Sequence, residues 1–207
     1  MNATNAKLDE CNNEERVEPT EFKQIVRSLR YLYNNIPDMC FAISIISRFM
    51  NDPRKSHLTT AKRILRYVKG TLKLGLLFPT ASKEGKAKLV GYSYSEWCGD
   101  RMDRRSTSCH LFKFNDVAIS WCTKKQPVTI ISSCEVEYIA GTFAACQAIW
   151  LDNVMKELNY EVEKPLKLKI DNRSAINLAK NPIVYGRSKH IETRFHFVRE
   201  QVTKGMI

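Results

Sequence analysis

Residues 90–100 read V-G-Y-S-Y-S-E-W-C-G-D, a stretch that begins like a strand and ends in polar and acidic residues beside a tryptophan. Ala87, Leu89 and the Gly91–Tyr92 pair lead into it. Acids at the end of a strand are well placed for hard divalent cations, because oxygen donors from neighbouring elements can converge there. The position best placed to carry the first of these acids, residue 94, holds a tyrosine instead.

Outward from this strand, three strand candidates (88–94, 108–114 and 117–122) come first, the last two joined by Asn115-Asp116, a pair suited to a tight hairpin turn. A long helical stretch over 133–158 follows. L-K-L-K-I (166–170) alternates as a strand, and helices are predicted over 173–180 and 192–204, the last with Phe195, Val198 and Val202 on one face. Three strands, helix, strand, helix, final helix is the order of a mixed sheet with packed helices, an α/β layered domain.

Upstream the period changes. Phe22, Ile25, Val26, Leu29 and Leu32 recur at helical spacing after Thr20, a candidate N-cap, and 34–38 breaks the pattern with N-N-I-P-D. A second helix is predicted over 38–50 and a third over 56–69, with Leu58, Ala61, Leu65 and Val68 inward and Lys62, Arg63, Arg66 and Lys69 outward until Gly70 stops it. The expected organisation is a flexible lead (1–19), a helical segment with a basic face (20–79), a charged linker (80–86) and the α/β domain (87–207).

The 207 residues carry 33 Lys and Arg against 22 Asp and Glu, a net charge of +11 that favours a polyanionic partner, nucleic acid first. Seven widely spaced cysteines with no C-x-x-C pair form neither a disulfide framework nor a zinc framework. No apolar run approaches the length of a membrane span, and the first residues have no secretory pattern, so the expectation is an intracellular protein, cytoplasmic or nuclear, without a membrane partner.

Four acids sit where elements begin or end: Glu96, Glu135, Asp171 and Glu192. Taken singly, each has a structural role. Ser132-Ser133-Cys134-Glu135 matches a capping box, Asp171 and Asn172 sit where an N-cap is wanted, Glu192 lies in a first helical turn and Glu96 in a solvated loop. Taken together, they have the composition of a Mg²⁺ site that works on phosphodiesters, in which two ions activate a water and stabilise the leaving oxygen. Arg104, Arg105, Lys124 and Lys125 are candidates for holding the phosphates of such a substrate.

The blocks S-L-R-Y-L-Y (28–33), S-R-F-M-N-D-P-R-K-S-H-L-T-T-A-K-R-I-L-R-Y-V-K-G-T (47–71), L-V-G-Y-S (89–93), A-I-S-W-C-T-K-K-Q-P (118–127), S-S-C-E-V-E-Y-I-A (132–140), D-N-R-S-A-I-N-L-A-K-N-P (171–182) and K-H-I-E-T-R-F-H-F-V-R-E (189–200) resemble, in the same order, the carboxy-terminal part of copia-type retrotransposon Pol polyproteins. The resemblance covers about residues 20 to 207. It implies a connection segment of the reverse transcriptase followed by a ribonuclease H domain with a mixed five-stranded sheet. The implied reaction is Mg²⁺- or Mn²⁺-dependent hydrolysis of the RNA strand of an RNA–DNA hybrid at a two-ion site. The implied partners are that hybrid and the reverse transcriptase part of the polyprotein, whose paired catalytic aspartates are not among these blocks.

Carried over position by position, the second metal-binding acid of that family falls on Glu135, with Glu137 as a rival, the third on Asp171 and the fourth, usually Asp, on Glu192. His190 stands beside the last one as a candidate for proton transfer or product release. The first is where the opening stretch departs: the family's Y-S-D-A-D-W is Y-S-Y-S-E-W here, so Tyr94 takes the place of the bridging aspartate and Glu96 that of the second acid. A phenol is a poor Mg²⁺ ligand, and at about 3.3 Å per residue Glu96 starts roughly 6 to 7 Å further along the strand. Cys98 and Cys109, where the family usually has a small residue, also mark a drifting copy. Three readings stay open: an impaired ribonuclease H, a non-catalytic nucleic-acid-binding module with the same fold, and a degenerate remnant.

Overall fold

The computed structural model describes residues 8, 13–78, 86–100, 102–181 and 189–207, and the side chains of 189–195 lie outside the described set. The chain divides into two compact units, Met1–Leu77 with Asp100–Met102, and Phe78–Gly99 with Asp103–Ile207.

The first unit is helical. Helix α1 (Pro19–Tyr33) is capped by Glu18, whose carboxylate accepts from the Thr20 backbone N–H. The expected cap at Thr20 therefore moves two residues upstream, because Pro19, with its fixed φ and absent N–H, already suits the first helical position. The second predicted helix is α2 (Cys40–Ile46) flanked by 3-10 turns at Pro37–Met39 and Ser47–Phe49. Helix α3 (Lys55–Gly70) starts where His57 Nδ1 accepts from Arg54 N–H at 3.0 Å, and His57 stacks on Phe49. Phe22, Val26, Leu29, Ile43, Ile46, Ala61 and Ile64 form the core. Ile64 takes the inward place expected of Leu65, which is 39% exposed.

The second unit is built on β1 (Leu89–Glu96), β2 (Thr107–Phe114), β3 (Val117–Lys125) and β4 (Lys167–Ile170), in the spatial order β3-β2-β1-β4. The β1–β2 and β2–β3 pairs are antiparallel and β1–β4 is parallel. The sheet is mixed, as expected, but the described residues hold four strands rather than the expected five, with β4 on the edge. Asn115 and Asp116 both take positive φ (45° and 70°), the left-handed pair that a tight hairpin between β2 and β3 requires.

Helix α4 (Ser133–Glu157) lies across the sheet, α5 (Arg173–Lys180) follows β4, and α6 (Lys189–Thr203) packs on α4 and α5. Two close approaches set this packing. A Cβ at Gly141 of α4 would lie 2.8 Å from Ile170 Cδ1, and one at Gly91 of β1 would lie 2.5 Å from Phe112 Cε1. Glycine at these two places lets helix, strand and aromatic ring close without a void. Leu89, Phe112, Ala144, Ala148, Leu151, Val162 and Leu166 fill the layer between them. Among the described residues no helix is long and apolar enough to cross a membrane.

Candidate functional site

The alternation of β1 decides which side chains meet α4. Leu89, Gly91, Ser93 and Ser95 are buried, whereas Tyr94 is 53% exposed and Tyr92 and Glu96 are partly exposed. Side chains alternate across a strand, so Tyr94 projects from the face opposite the one that carries Ser93 and Ser95. Tyr94 pairs with Cys109 on β2. On its other side the parallel register ends at Ser93 opposite Ile170, and Asp171, the residue that follows, is near enough for its charge to act on the Tyr94 phenol. Tyr94 and Asp171 thus stand at the carboxyl ends of two adjacent parallel strands, where open α/β sheets form their crevices.

Asn172, the N-cap of α5, accepts the Ala175 N–H at 3.0 Å through Oδ1. The capping work falls to the amide and leaves Asp171 at the strand end. Ser132 is the N-cap of α4 but makes no side-chain cap hydrogen bond, so the capping box read at Ser132 and Glu135 lacks its serine half.

Glu137 is the helix carboxylate at the sheet edge. Its Oε1 accepts from Ser95 N–H at 2.9 Å, the residue is 7% exposed, and its Oε2 is buried without a hydrogen-bond partner. Burial raises the Glu137 carboxyl above the ordinary range, the Ser95 bond pulls it back, and the nearby charge of Asp171 pushes it up again. Glu135 precedes it by two positions, about 200° around the helix, so the two cannot face the same strand end. The rival position, Glu137, is therefore the one that shares an environment with Asp171. The family resemblance places the second acid on Glu135 with Glu137 as a rival, and a sequence signal that bears on Glu137 is its apolar flank, Val136, Tyr138 and Ile139, all buried here.

Tyr94 sits in the field of these acids. Burial raises its phenol, and Glu96, Glu137, Cys109 and Asp171 raise it further, so the hydroxyl keeps its proton at neutral pH. Glu96 folds back over its own turn: a Cβ on Gly99 would lie 2.6 Å from Glu96 Oε2. Its carboxylate lies close to Gly99 at the end of β1, and among the charges that act on the Tyr94 phenol that of Glu96 is the strongest. Glu192 and His190 belong to the first turns of α6, and their side chains lie outside the described residues.

The expected phosphate-binding cations divide. Arg105 and Lys125 both pair with Asp103, at 3.4 and 2.8 Å, and Lys124 lies over the Phe143 ring at 5.7 Å. Arg104 is exposed.

Among the described residues no three His, Cys, Asp or Glu side chains come together as a metal-binding group. Glu137 brings a buried oxygen that lacks a partner and Asp171 a second carboxylate, and the β1 side chain on which both charges act is a neutral phenol. A hard divalent ion needs several anionic or strongly polar oxygens, and Glu192, the fourth acid expected there, has its side chain outside the described residues.

A mixed sheet with helices packed on it and carboxylates at the ends of its parallel pair defines an α/β layered domain with an acidic edge. The chain belongs to the retrovirus-related Pol polyproteins of copia-type retrotransposons. It is 35% identical over 205 residues, 99% of its length, to the Pol polyprotein from transposon RE1 of Arabidopsis thaliana, and 37% identical over 182 residues to that from transposon TNT 1-94 of Nicotiana tabacum. It spans only 14% and 13% of those two relatives. It is also 46% identical over 115 residues, 56% of its length, to secreted RxLR effector protein 161 of Plasmopara viticola, of which it covers 79%. No protein-family model matches the chain, and no solved structure matches it.

Proposed function

We infer that the second unit is a ribonuclease H-type domain that engages RNA–DNA hybrids but has lost metal-dependent hydrolysis of the RNA strand. The observation that carries this reading is the environment of Tyr94: a protonated phenol at the end of β1, beside Asp171 and within the field of Glu137. Two carboxylates of the acidic edge persist in type and setting, and the third donor is replaced by a group that carries no negative charge at neutral pH. The net charge of +11 supports retained binding, since phosphate contacts do not depend on the metal. Mg²⁺ or Mn²⁺ belongs to this reading as the cofactor of an intact site. The reverse transcriptase part of the polyprotein is the proposed protein partner, by family resemblance.

The test is Tyr94→Asp. The restored carboxylate is expected to produce Mg²⁺- or Mn²⁺-dependent cleavage of the RNA strand of a labelled hybrid, abolished by EDTA and by a second change, Asp171→Asn. Independently of activity, Mn²⁺ is expected to raise the melting temperature of Tyr94→Asp and leave the parent unchanged, because an ion that binds only the folded state stabilises it by mass action. Strong metal-dependent cleavage by the parent chain would refute the reading.

A further inference from the structure

The amino-terminal lead makes contacts that neither the core of the first unit nor the acidic edge of the second accounts for. Glu14 sends its carboxylate to the start of α3, where Oε2 accepts from Ser56 N–H at 2.8 Å, one of the backbone donors that a helix start leaves without an internal partner. Around that bond Lys55 N–H donates to the Glu15 carbonyl at 3.2 Å, Val17 N–H to the Pro53 carbonyl at 3.0 Å and Arg54 Nη1 to the Glu14 carbonyl at 3.2 Å. Six residues upstream of Glu14, Leu8 is half-buried and packs on the core of the first unit. It lines a cavity of about 160 Å³ together with Phe41, Ala42 and Ile45 of α2 and Ile64 and Tyr67 of α3. Six residues span at most about 20 Å, and α3 rises about 12 Å from Ser56 to Ile64, so one lead reaches both places.

We propose that the groove between α2 and α3 is a docking site for an acidic segment with an apolar anchor, and that its occupant is the chain's own lead, held at Leu8 and at Glu14. Charge selects this occupant: residues 1–19 carry five acids against two Lys and Arg, whereas residues 20–77 carry eleven Lys and Arg against three acids. Such opposite fields draw the lead onto the unit and disfavour a basic segment. Leu8 supplies apolar burial in the groove, and Glu14 fixes the segment against the helix start, where the positive end of the helix dipole favours a carboxylate. A contact made by one apolar side chain and a few hydrogen bonds is weak between separate molecules, and the high effective concentration of a tethered segment sustains it within the chain. The inference is independent of the ribonuclease H reading, since it concerns the first unit and involves neither metal nor nucleic acid.

The full chain is titrated, by fluorescence anisotropy, against a labelled synthetic peptide with the sequence of residues 1–18. In the parent the tethered lead holds the groove, so the peptide competes against an effective concentration of about 1 mM. Leu8→Asp combined with Glu14→Ala releases the tethered lead, and this variant is expected to bind the peptide at least about tenfold more tightly than the parent does. A peptide that itself carries Leu8→Asp is expected to lose that binding. Circular dichroism and melting check the fold of the variant. Glu14→Ala alone gives a second reading that does not depend on the double variant: amide exchange at Ser56 is expected to speed up while that at Phe112, in the second unit, stays as in the parent. An equal response of parent and double variant to the peptide, including none, would overturn the proposal. So would full binding of the Leu8→Asp peptide, unchanged exchange at Ser56, or a parent that is dimeric and becomes monomeric in the double variant, which would put a second copy's lead in the groove.

Discussion

Ser95 gives its backbone N–H to Glu137 Oε1 across 2.9 Å, and this bond ties the second turn of α4 to the end of β1. The strand end needs an acceptor there because the parallel pairing of β1 with β4 ends at Ser93, and a buried N–H without a partner is costly. Gln126 reinforces the same corner, its Nε2 donating to Ser108 Oγ at 2.8 Å and to the Val136 carbonyl at 3.1 Å.

Glu137→Ala is expected to destabilise the second unit by about 1–3 kcal/mol, the cost of leaving the buried Ser95 N–H without its acceptor. Glu137→Gln retains an oxygen acceptor and should cost much less. Urea unfolding of the three proteins at neutral pH measures both differences, and equal losses in Ala and Gln would show that the charge rather than the acceptor matters.

The same residue makes a pH prediction. Its carboxyl is raised in the folded protein, so above the ordinary Glu value of 4.5 the folded state holds a proton that the unfolded chain has released. Stability contributed by Glu137 is therefore largest at low pH and is lost as pH rises through the folded value. Glu137→Gln should flatten the stability profile over that window relative to the parent. Identical profiles would contradict a buried, destabilised carboxylate.

Asp152 works in the opposite direction. It is 1% exposed on α4 and lies between Lys156 Nζ at 2.8 Å and Lys164 Nζ at 2.5 Å. Burial raises its carboxyl, and the two lysine contacts outweigh that and hold it below the usual range. Its stabilisation is present above the unfolded value and lost as pH falls through the folded one. Asp152→Asn is expected to cost about 2 kcal/mol at neutral pH, in the range of hydrogen bonds to charged groups, and progressively less in acid. Thermal unfolding across pH reads this directly.

Gly91→Ala tests the packing of the sheet. The added Cβ would lie 2.5 Å from Phe112 Cε1 and 2.9 Å from Leu168 Cδ1, and Phe112 is fully buried. Overpacking of this kind costs about 1–3 kcal/mol, measured as a fall in the urea midpoint. Gly70→Ala, with open space around it, should not destabilise.

What the sequence alone determined were the features that depend on neighbours in the chain. Asn115-Asp116 marked the hairpin because left-handed backbone is set locally, the helix over 173–180 matched α5 because Asn172 caps it from the adjacent position, and Tyr94 stood out because an aspartate was expected there. Tertiary structure decided what depends on neighbours in space. Glu135 and Glu137 both lie at the start of one helix, and only the register of α4 against β1 decides that Glu137 is the one that accepts the Ser95 N–H. Ile64 and Leu65 are equally apolar, and only the position of α1 and α2 around α3 buries the first and exposes the second. The sequence put Glu96 one pleat beyond residue 94, and only the folded chain brings its side chain close to Gly99. The four strands marked by the sequence pattern are the four that the described residues hold, whereas the fifth, implied by the family resemblance, is not among them, since edge pairing needs a partner strand in space.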